Sequence, residues 1–268
     1  IDLNMLLGSG DHGRIIKRDV DSFNPAFHTS AQPGDNTVPA GVENFTDTPV
    51  SQMRKVIAKR LSESKFSAPH FYITMDINMD RAIDARKALN ANGDTKISFN
   101  DLVIKSCALA LKKHPAINSA WMGDSIRQSD HVHIGVAVAV EDGLLVPVLR
   151  HADLMPLAHI SASVKDLAGK AKDKKLQPAD WEGNTFTISN LGMFGIEEFT
   201  AIVNPPDAAI LAVGGIKQVP VVKDGAVVPG NVMKVTLSCD HRVIDGASGA
   251  AFLQTLKGFL ENPITMFA

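Results

Sequence analysis

A histidine and an aspartate lie four residues apart near the end of the chain, in the segment SCDHRVIDGASG at 238–249. The histidine, His241, has the side chain whose ordinary pKa lies nearest neutral pH, so it could act as a general base. Asp245 could orient the imidazole, as in a serine hydrolase triad, or it could cap a following helix. Taken alone, the segment favours a turn histidine followed by a capping aspartate.

A serine in the segment TISNLG could supply a second part of a site. The hydroxyl of Ser189 could donate a hydrogen bond to an oxyanion that develops during a reaction. It could instead satisfy a turn, which Asn190 and Gly192 indicate. The residues by themselves favour the turn.

The other histidines give weaker signals. His131 and His133 fall on one face of a predicted strand, as two metal ligands would. No cysteine or carboxylate completes a ligand set in the sequence, so we expect no metal. His70 and His151 could line a channel but are more typical of ordinary structural positions.

A strand and a helix must position His241. The run VMKVTLSCD at 232–240 alternates apolar and polar side chains, which predicts a strand that ends at the histidine. A group at the end of a strand is held more rigidly than one on a loop. The small residues of GASGA at 246–250 predict that the following helix, from about 247 to 260, packs closely against its neighbours.

The chain from about residue 45 onward mixes helical and strand patterns, which predicts one α/β domain. A serine before a helical repeat at 53–61 predicts a capped helix, and Pro115 predicts the end of another. We expect helices at 51–67, 81–92, 100–113 and 154–176, and strands at 70–79, on both sides of a turn at 141–143, at 185–195 and within 208–240.

Composition limits the classes of function. The 268 residues carry a net charge of −2, so electrostatics gives no case for binding nucleic acid or an anionic membrane. No apolar run approaches the roughly 18 residues of a membrane span. The two cysteines have no CxxC partner, which fits a reducing compartment.

The first 44 residues differ from the rest. Residues 1–23 form a short separate unit, and 24–44 are rich in Pro, Gly, Ser, Thr and Asn without apolar periodicity, which predicts a flexible linker. The sequence does not begin with Met, so we expect it to be part of a longer protein.

Several segments together resemble one family. DHRVIDGA at 240–247 resembles the HxxxDG signature of the dihydrolipoamide acyltransferases, the core subunits of 2-oxo acid dehydrogenase complexes, which chloramphenicol acetyltransferase shares. GNTFTISNLGMFG, DGLLVPV, VNPP and ENPITMFA resemble further segments of that family. The resemblance implies a chloramphenicol-acetyltransferase-like α/β catalytic domain at 45–268, a mixed sheet with flanking helices. It also implies a partial peripheral subunit-binding domain at 1–23, which we expect to be poorly folded because its first helix is absent.

The resemblance also bears on the acyl group. SCDHR, and the pattern MFGI followed by FTAI, are similar to the members that transfer acetyl groups in the pyruvate complex. Succinyl-transferring and branched-chain members remain alternatives, as does a non-catalytic core subunit that only binds other components.

Roles for individual residues follow from the resemblance. His241 would take the proton of a thiol, and Ser189 would donate to the oxyanion. Asp245 would support the local backbone by pairing with an arginine, Arg54 rather than Arg60, instead of orienting the base. Two thiol carriers can exchange an acyl group directly, so Cys239 is expected to pack on its strand rather than act as a nucleophile.

The same resemblance implies the substrates and the assembly. Coenzyme A would be one substrate, and the other a lipoyl group on a domain absent from this chain. His241 and Ser189 would come from neighbouring chains of a homotrimer, and trimers would form a 24-mer or 60-mer core. Residues 1–23 would recruit the pyruvate decarboxylase component and dihydrolipoyl dehydrogenase, in a bacterial cytoplasm or a mitochondrial matrix.

Overall fold

The computed structural model describes residue 6, residues 8–22, residue 41, and residues 43–92, 96–141 and 143–267. Contacts divide the chain into two units, with the boundary between Pro49 and Val50. The predicted linker at 24–44 lies almost wholly outside the described residues.

The described part of the first unit contains one short helix, α1 (Lys17–Asp21), after a 3-10 turn at Asp11–Gly13. The carboxylate of Asp19 accepts hydrogen bonds from the amide and hydroxyl of Ser9, at 2.8 and 2.6 Å, and from the amide of Ile16 at 3.0 Å. These bonds close a local loop. The subunit-binding role and the poor folding expected of residues 1–23 stay predictions.

The second unit contains six helices and ten strands among the described residues. In chain order they are α2 (Gln52–Ser67), β1 (His70–Asn78), α3 (Asp80–Asn92), α4 (Phe99–Lys113), β2 (Ser119–Trp121), β3 (Ile126–Gln128), β4 (Ile134–Val136), β5 (Val138–Val140), β6 (Gly143–Leu145), β7 (Val148–Leu149), α5 (Leu157–Lys172), α6 (Pro178–Trp181), β8 (Phe186–Asn190), β9 (Ala209–Lys223), β10 (Ala226–Asp240) and α7 (Gly246–Glu261).

A mixed six-stranded sheet runs through this unit in the order β1-β10-β9-β8-β4-β7. The pairs β1–β10, β10–β9 and β4–β7 are antiparallel, and β9–β8 and β8–β4 are parallel. Separate hairpins join β2 to β3 and β5 to β6. The strands that end at His241 and contain Ser189 are therefore separated by one strand, β9.

The helices α3, α4, α5 and α7 pack together and against the sheet, and the core lies between these layers. Phe186 of β8 and Phe252 of α7 meet there, with ring centroids 5.7 Å apart. Gly249 allows α7 to approach the sheet, because a Cβ at this position would lie 2.6 Å from Cδ1 of Ile73. The close packing predicted for this helix is confirmed.

Most predicted elements are confirmed. The hydroxyl of Ser51 caps α2 by accepting from the amide of Arg54 at 3.2 Å, and α4 ends two residues before Pro115. The apolar residues Met53 and Val56 of α2 stay exposed in the single chain. The apolar positions of this helix are therefore not all buried within the chain.

The two strands predicted around residues 141–143 are wrong in extent. Each is broken, giving β4 and β5 on one side and β6 and β7 on the other. Pro147 has no amide hydrogen to donate, and the amide of Ala137 donates to Ile188 instead, at 2.9 Å. The hairpin β2–β3 and the helix α6 are not predicted from the sequence.

A membrane-spanning helix is not among the described elements, since none combines the length and apolar character that a bilayer crossing needs.

Candidate active site

His241 is the first residue after β10, and its side chain is exposed in the single chain. Its backbone amide donates to the carbonyl of Pro69 at 2.9 Å. The imidazole packs against the ring of Phe71, with centroids 4.9 Å apart and planes inclined by 59°. Within the described ranges no side chain or carbonyl hydrogen-bonds this imidazole.

Asp245 caps the helix α7. Its carboxylate accepts from the amide of Ser248 at 2.7 Å, and this bond is the main reason that the pKa of Asp245 lies below its ordinary value. The charge of His241 contributes least to that lowering, so the aspartate serves the helix end more than the imidazole.

The expected pairing of Asp245 with an arginine is not formed within the described chain. The guanidinium of Arg54 makes no hydrogen bond or ion pair to a described residue, and Arg60 donates from Nη2 to the carbonyl of Pro205 at 2.9 Å. The reason is geometric, because the Asp245 carboxylate is directed at the first turn of α7.

Asp240 and Arg242 flank His241 and bind each other. The carboxylate of Asp240 accepts from the amide of Arg242 at 3.0 Å, from Nε at 3.0 and 3.1 Å, and from Nη2 at 2.7 Å. The guanidinium carbon lies 5.0 Å from the ring centre of Trp121. The alternation of charges in SCDHRV could have suggested the ion pair, but nothing local points to Trp121.

Ser189 lies in β8, half-buried, and its hydroxyl makes no hydrogen bond to any described residue. The turn after it is satisfied by the next residue, since Oδ1 of Asn190 accepts from the amide of Gly192 at 2.9 Å. Nδ2 of Asn190 also donates to Oδ1 of Asn100 at 3.1 Å, which ties the end of β8 to α4. Asn190 therefore makes the turn contact that could have been expected of Ser189, and the Ser189 hydroxyl is left available.

The turn after Ser189 lies directly on β9. A Cβ on Gly192 would lie 2.6 Å from the carbonyl oxygen of Gly214, and a Cβ on Gly214 would overlap the carbonyl oxygen of Glu197. Two glycines thus permit the backbone contact that fixes the segment beyond the serine.

His241 and Ser189 are far apart within one chain. Ser189 pairs with Ala212 on β9, which pairs with Thr236 on β10, so the serine is level with a residue five positions before the histidine. Two strand spacings across the sheet and five residues along a strand give a separation of about 20 Å between the Cα atoms. A single chain cannot bring both side chains to one carbonyl group.

Neither cysteine has the environment of a nucleophile. Cys239 is fully buried on β10, and burial, followed by the charge of Asp240, raises the pKa of its thiol to about 12. Burial also raises the pKa of Cys107. A thiolate would form at neither position near neutral pH, which favours the packing role expected for Cys239.

Three of the remaining histidines form a cluster. The ring centroids of His131 and His133 lie 4.3 Å apart, and those of His133 and His151 lie 4.5 Å apart. Nδ1 of His133 accepts from the amide of His151 at 3.0 Å, and burial lowers the pKa of His133, so this ring is neutral. Across the described ranges no group of His, Cys, Asp or Glu side chains is arranged to hold a metal ion.

His70 is satisfied by backbone groups. Its Nδ1 lies 2.8 Å from the carbonyl of Ala68, and its Nε2 accepts from the amide of Val203 at 3.1 Å. It holds the start of β1 and is not directed into a channel.

A buried carboxyl group connects the two parts of the site. Oδ2 of Asp207 accepts from Nδ2 of Asn184 and from Oγ1 of Thr187, both at 2.6 Å, and Thr187 lies two residues before Ser189. The carbonyl of the next residue, Ala208, accepts from the amide of Asp240 at 2.8 Å. Oδ1 of Asp207 has no partner among the described residues, and burial raises the pKa of this group to about 7. No motif or spacing in the sequence points to this group.

Two open clefts lie elsewhere, of about 460 and 280 Å³. The first lies beside the start of α7, between Ser248 and His114, and the second lies between α5 and Arg150. Neither is lined by His241 or Ser189, so neither joins the two parts of the candidate site.

Comparison with known proteins identifies a family whose model matches most of the chain. The model described as 2-oxoacid dehydrogenases acyltransferase (catalytic domain) matches residues 42–268. A relative in Schizosaccharomyces pombe, the dihydrolipoyllysine-residue acetyltransferase component of the mitochondrial pyruvate dehydrogenase complex, is 47% identical over 283 residues, covering 98% of this chain and 58% of that protein. The corresponding component of Zymomonas mobilis is 44% identical over 277 residues, covering 100% of this chain and 63% of that protein. The chain thus spans about six-tenths of the length of these relatives.

Solved structures agree. Dihydrolipoamide acetyltransferase of Azotobacter vinelandii, investigated for the role of a serine, a histidine and an asparagine in its catalytic mechanism, is similar with a TM-score of 0.81 and 33% identity, covering 84% of this chain and 95% of that one. The cubic core of a pyruvate dehydrogenase multienzyme complex is similar with a TM-score of 0.81 and 34% identity over the same shares. Chloramphenicol acetyltransferase shares the fold alone, with a TM-score of 0.50 and 14% identity, covering 82% of this chain and all of that one. The predicted chloramphenicol-acetyltransferase-like α/β fold is therefore confirmed.

Proposed function

The chain belongs to the 2-oxoacid dehydrogenase acyltransferase family, and on that premise we propose that it moves an acetyl group between dihydrolipoamide and coenzyme A. One observation supports the assignment of residues most directly. Ser189 and His241 are 52 residues apart, as are the serine and histidine investigated in the Azotobacter vinelandii enzyme. Asp245 follows His241 by four residues, the distance at which that enzyme has its asparagine.

In the proposed mechanism His241 acts as the base. Its imidazole takes the proton from the thiol of coenzyme A, because the thiolate is the nucleophile and a free thiol is mostly protonated at neutral pH. The new sulfur–carbon bond forms at the thioester carbonyl of acetyl-dihydrolipoamide. The bond to the lipoyl sulfur then breaks, and the imidazolium returns its proton to that sulfur. The reverse reaction uses the same groups.

Ser189 is proposed to stabilise the tetrahedral stage. The carbonyl oxygen gains negative charge there, and a hydroxyl held by a strand can donate to it without reorganisation. The availability of this hydroxyl, with the turn satisfied by Asn190, supports the role.

The separation of about 20 Å within the chain supports a site shared between neighbours, since both side chains must reach the same carbonyl. A homotrimer with one site at each of its interfaces fulfils this condition. The exposed apolar side chains Met193 and Phe194, just beyond Ser189, and Met53 and Val56 on α2 favour burial against another chain.

The proposal extends to the core. Ile264 and Phe267, near the carboxy terminus, are 78% and 68% exposed, as expected for residues that join trimers into a 24-mer or 60-mer. Residues 1–23 are proposed to recruit the pyruvate decarboxylase component and dihydrolipoyl dehydrogenase, and the lipoyl group is carried by another domain. The proposed compartment is a mitochondrial matrix or a bacterial cytoplasm, which the mitochondrial and bacterial relatives support.

Asp245 is proposed to support the site by capping α7 rather than by orienting the base. An ion pair with Arg54 would have to form between neighbouring chains, because the described chain forms none.

An acyl-transfer assay tests the proposed function. The purified protein is supplied with free dihydrolipoamide and with acetyl-, succinyl- or isobutyryl-CoA. We expect the highest kcat/KM with acetyl-CoA, and a fall of about 10² to 10⁴ in His241→Gln but not in His159→Gln, which changes an exposed histidine on α5. Absence of transfer with all three donors would refute the enzyme, and faster transfer of succinyl would refute the acetyl assignment.

A further inference from the structure

The position of His241 depends on its backbone. No described group hydrogen-bonds the imidazole, and Phe71 contacts only one side of it. A general base must nevertheless be held in a fixed place for proton transfer to be efficient. The residues that fix the main chain on both sides of His241 are therefore candidates for positioning the base.

Asp240 fixes the chain before His241. Its amide donates to the carbonyl of Ala208 at 2.8 Å, and its carbonyl accepts from the amides of Val243 and Ile244, both at 3.0 Å. The Asp240 side chain is only 4% exposed, so its negative charge needs a partner. Arg242 supplies that partner from the other side of His241, through a two-pronged contact of Nε and Nη2.

Trp121 fixes the arginine. The guanidinium lies over the indole ring at 5.0 Å, within the range of a cation–π interaction. Trp121 ends β2, and this strand is attached to the same backbone as Asp240: the amide of Ala208 donates to the carbonyl of Ser119 at 3.0 Å. The indole and the carboxylate thus hold the guanidinium from a common support.

We infer that Trp121, Arg242 and Asp240 form a clamp that positions the catalytic His241, and that Arg242 and Trp121 are positioning residues for acyl transfer. Arginine is required because its planar fork can bind both carboxylate oxygens and stack on a ring at once, whereas lysine offers a single ammonium group. The clamp contacts neither reacting atom. It acts through the two peptide groups that join His241 to its neighbours.

The inference rests on the proposed function, and its test uses the assembled full chain. The variants are Arg242→Lys, Trp121→Leu and Trp121→Phe. Arg242→Lys and Trp121→Leu each have a matched control outside the site. Arg86→Lys changes the guanidinium that lies 4.5 Å from the Phe99 ring, and Trp181→Leu changes the other tryptophan of the chain. kcat and KM for acetyl-CoA and dihydrolipoamide are measured beside the assembly size and the melting temperature.

We expect kcat of Arg242→Lys to fall about 10- to 100-fold with KM changed less than about twofold, because a displaced base lowers the rate without removing a substrate contact. Trp121→Leu should lose about tenfold in kcat, and Trp121→Phe should stay within about threefold of the parent because it keeps an aromatic face. Both controls should match the parent.

The clamp is refuted if Arg242→Lys keeps the parental kcat, or if its loss lies in KM alone. If Arg242→Lys fails to assemble, the comparison of the two Trp121 variants tests the clamp. Equal kcat for Trp121→Leu and Trp121→Phe would contradict it. A parent protein that transfers no acyl group refutes the proposed function instead, so the two failures are distinguishable.

Discussion

Replacing Asp207 by asparagine should remove a pH dependence from the stability of the folded chain. Burial raises the pKa of this carboxyl from its ordinary 3.8 to about 7, so the folded state holds a proton that the unfolded state releases. The stability that this proton provides is complete below pH 4 and is lost as the pH rises through 7. The slope is about 1.4 kcal/mol per pH unit, which gives about 4 kcal/mol over the whole window.

The amide of Asp207→Asn has nearly the same shape, and its oxygen can still accept from Asn184 and Thr187. Denaturant titrations at fixed protein concentration, followed by circular dichroism at pH 5 and pH 8, measure the difference. Relative to the parent's, the variant's free energy of unfolding should rise by about 3 kcal/mol from pH 5 to pH 8. The control Asp224→Asn changes an exposed hairpin residue with φ of 52°, where asparagine is readily accepted, and should gain nothing. Parallel profiles for parent and Asp207→Asn would show that the carboxyl is ionised in the folded protein, contrary to this reasoning.

Other predictions concern the helix cap and the turn beyond the serine. Asp245→Asn should keep kcat and stability near the parent because asparagine caps helices as well as aspartate does. Asp245→Ala should lower the denaturation midpoint because the cap is lost. A collapse of kcat in Asp245→Asn with folding intact would instead show that the carboxylate orients the base. Because the pKa of Asp245 is lowered, its contribution is present above the ordinary pKa and is lost as the pH falls below about 4, and Asp245→Asn should lack this acid sensitivity. Gly214→Ala should lower the free energy of unfolding by about 1–3 kcal/mol, since its Cβ overlaps the Glu197 carbonyl, and should lower kcat by moving the turn after Ser189. The control Gly258→Ala, where a Cβ meets nothing, should raise the free energy of unfolding by about 0.5–1 kcal/mol. Equal stability of the two glycine variants would contradict the packing described for the turn.

Local rules predicted most elements of the second unit. Ser51 caps α2, and Pro115 follows the end of α4, because caps and proline act within a few residues of their position. The break in the strands at 134–149 is harder to predict. It depends on Pro147 and on Ile188, which comes from a distant part of the chain.

The site was predictable only in part. The histidine and the serine lie in segments that resemble a family, and the sequence alone favoured ordinary turns at both. Trp121 and Asp207 carry no local signal, because the groups that they contact at the site are brought to them only by the folded sheet. The cap formed by Asp245 is the interpretation that its segment alone favours, although the spacing of Asp245 from the histidine also fits a triad.

Mixing two inactive chains tests the shared site most directly. His241→Ala and Ser189→Ala chains, carrying different tags, are co-expressed, and the mixed assemblies are purified through both tags. If each site takes its histidine from one chain and its serine from a neighbour, random mixing restores about a quarter of the sites, and activity should rise to about a quarter of the parent's. Each variant alone should stay at its own low level. Mixed assemblies no more active than the better single variant would contradict a site built from two chains.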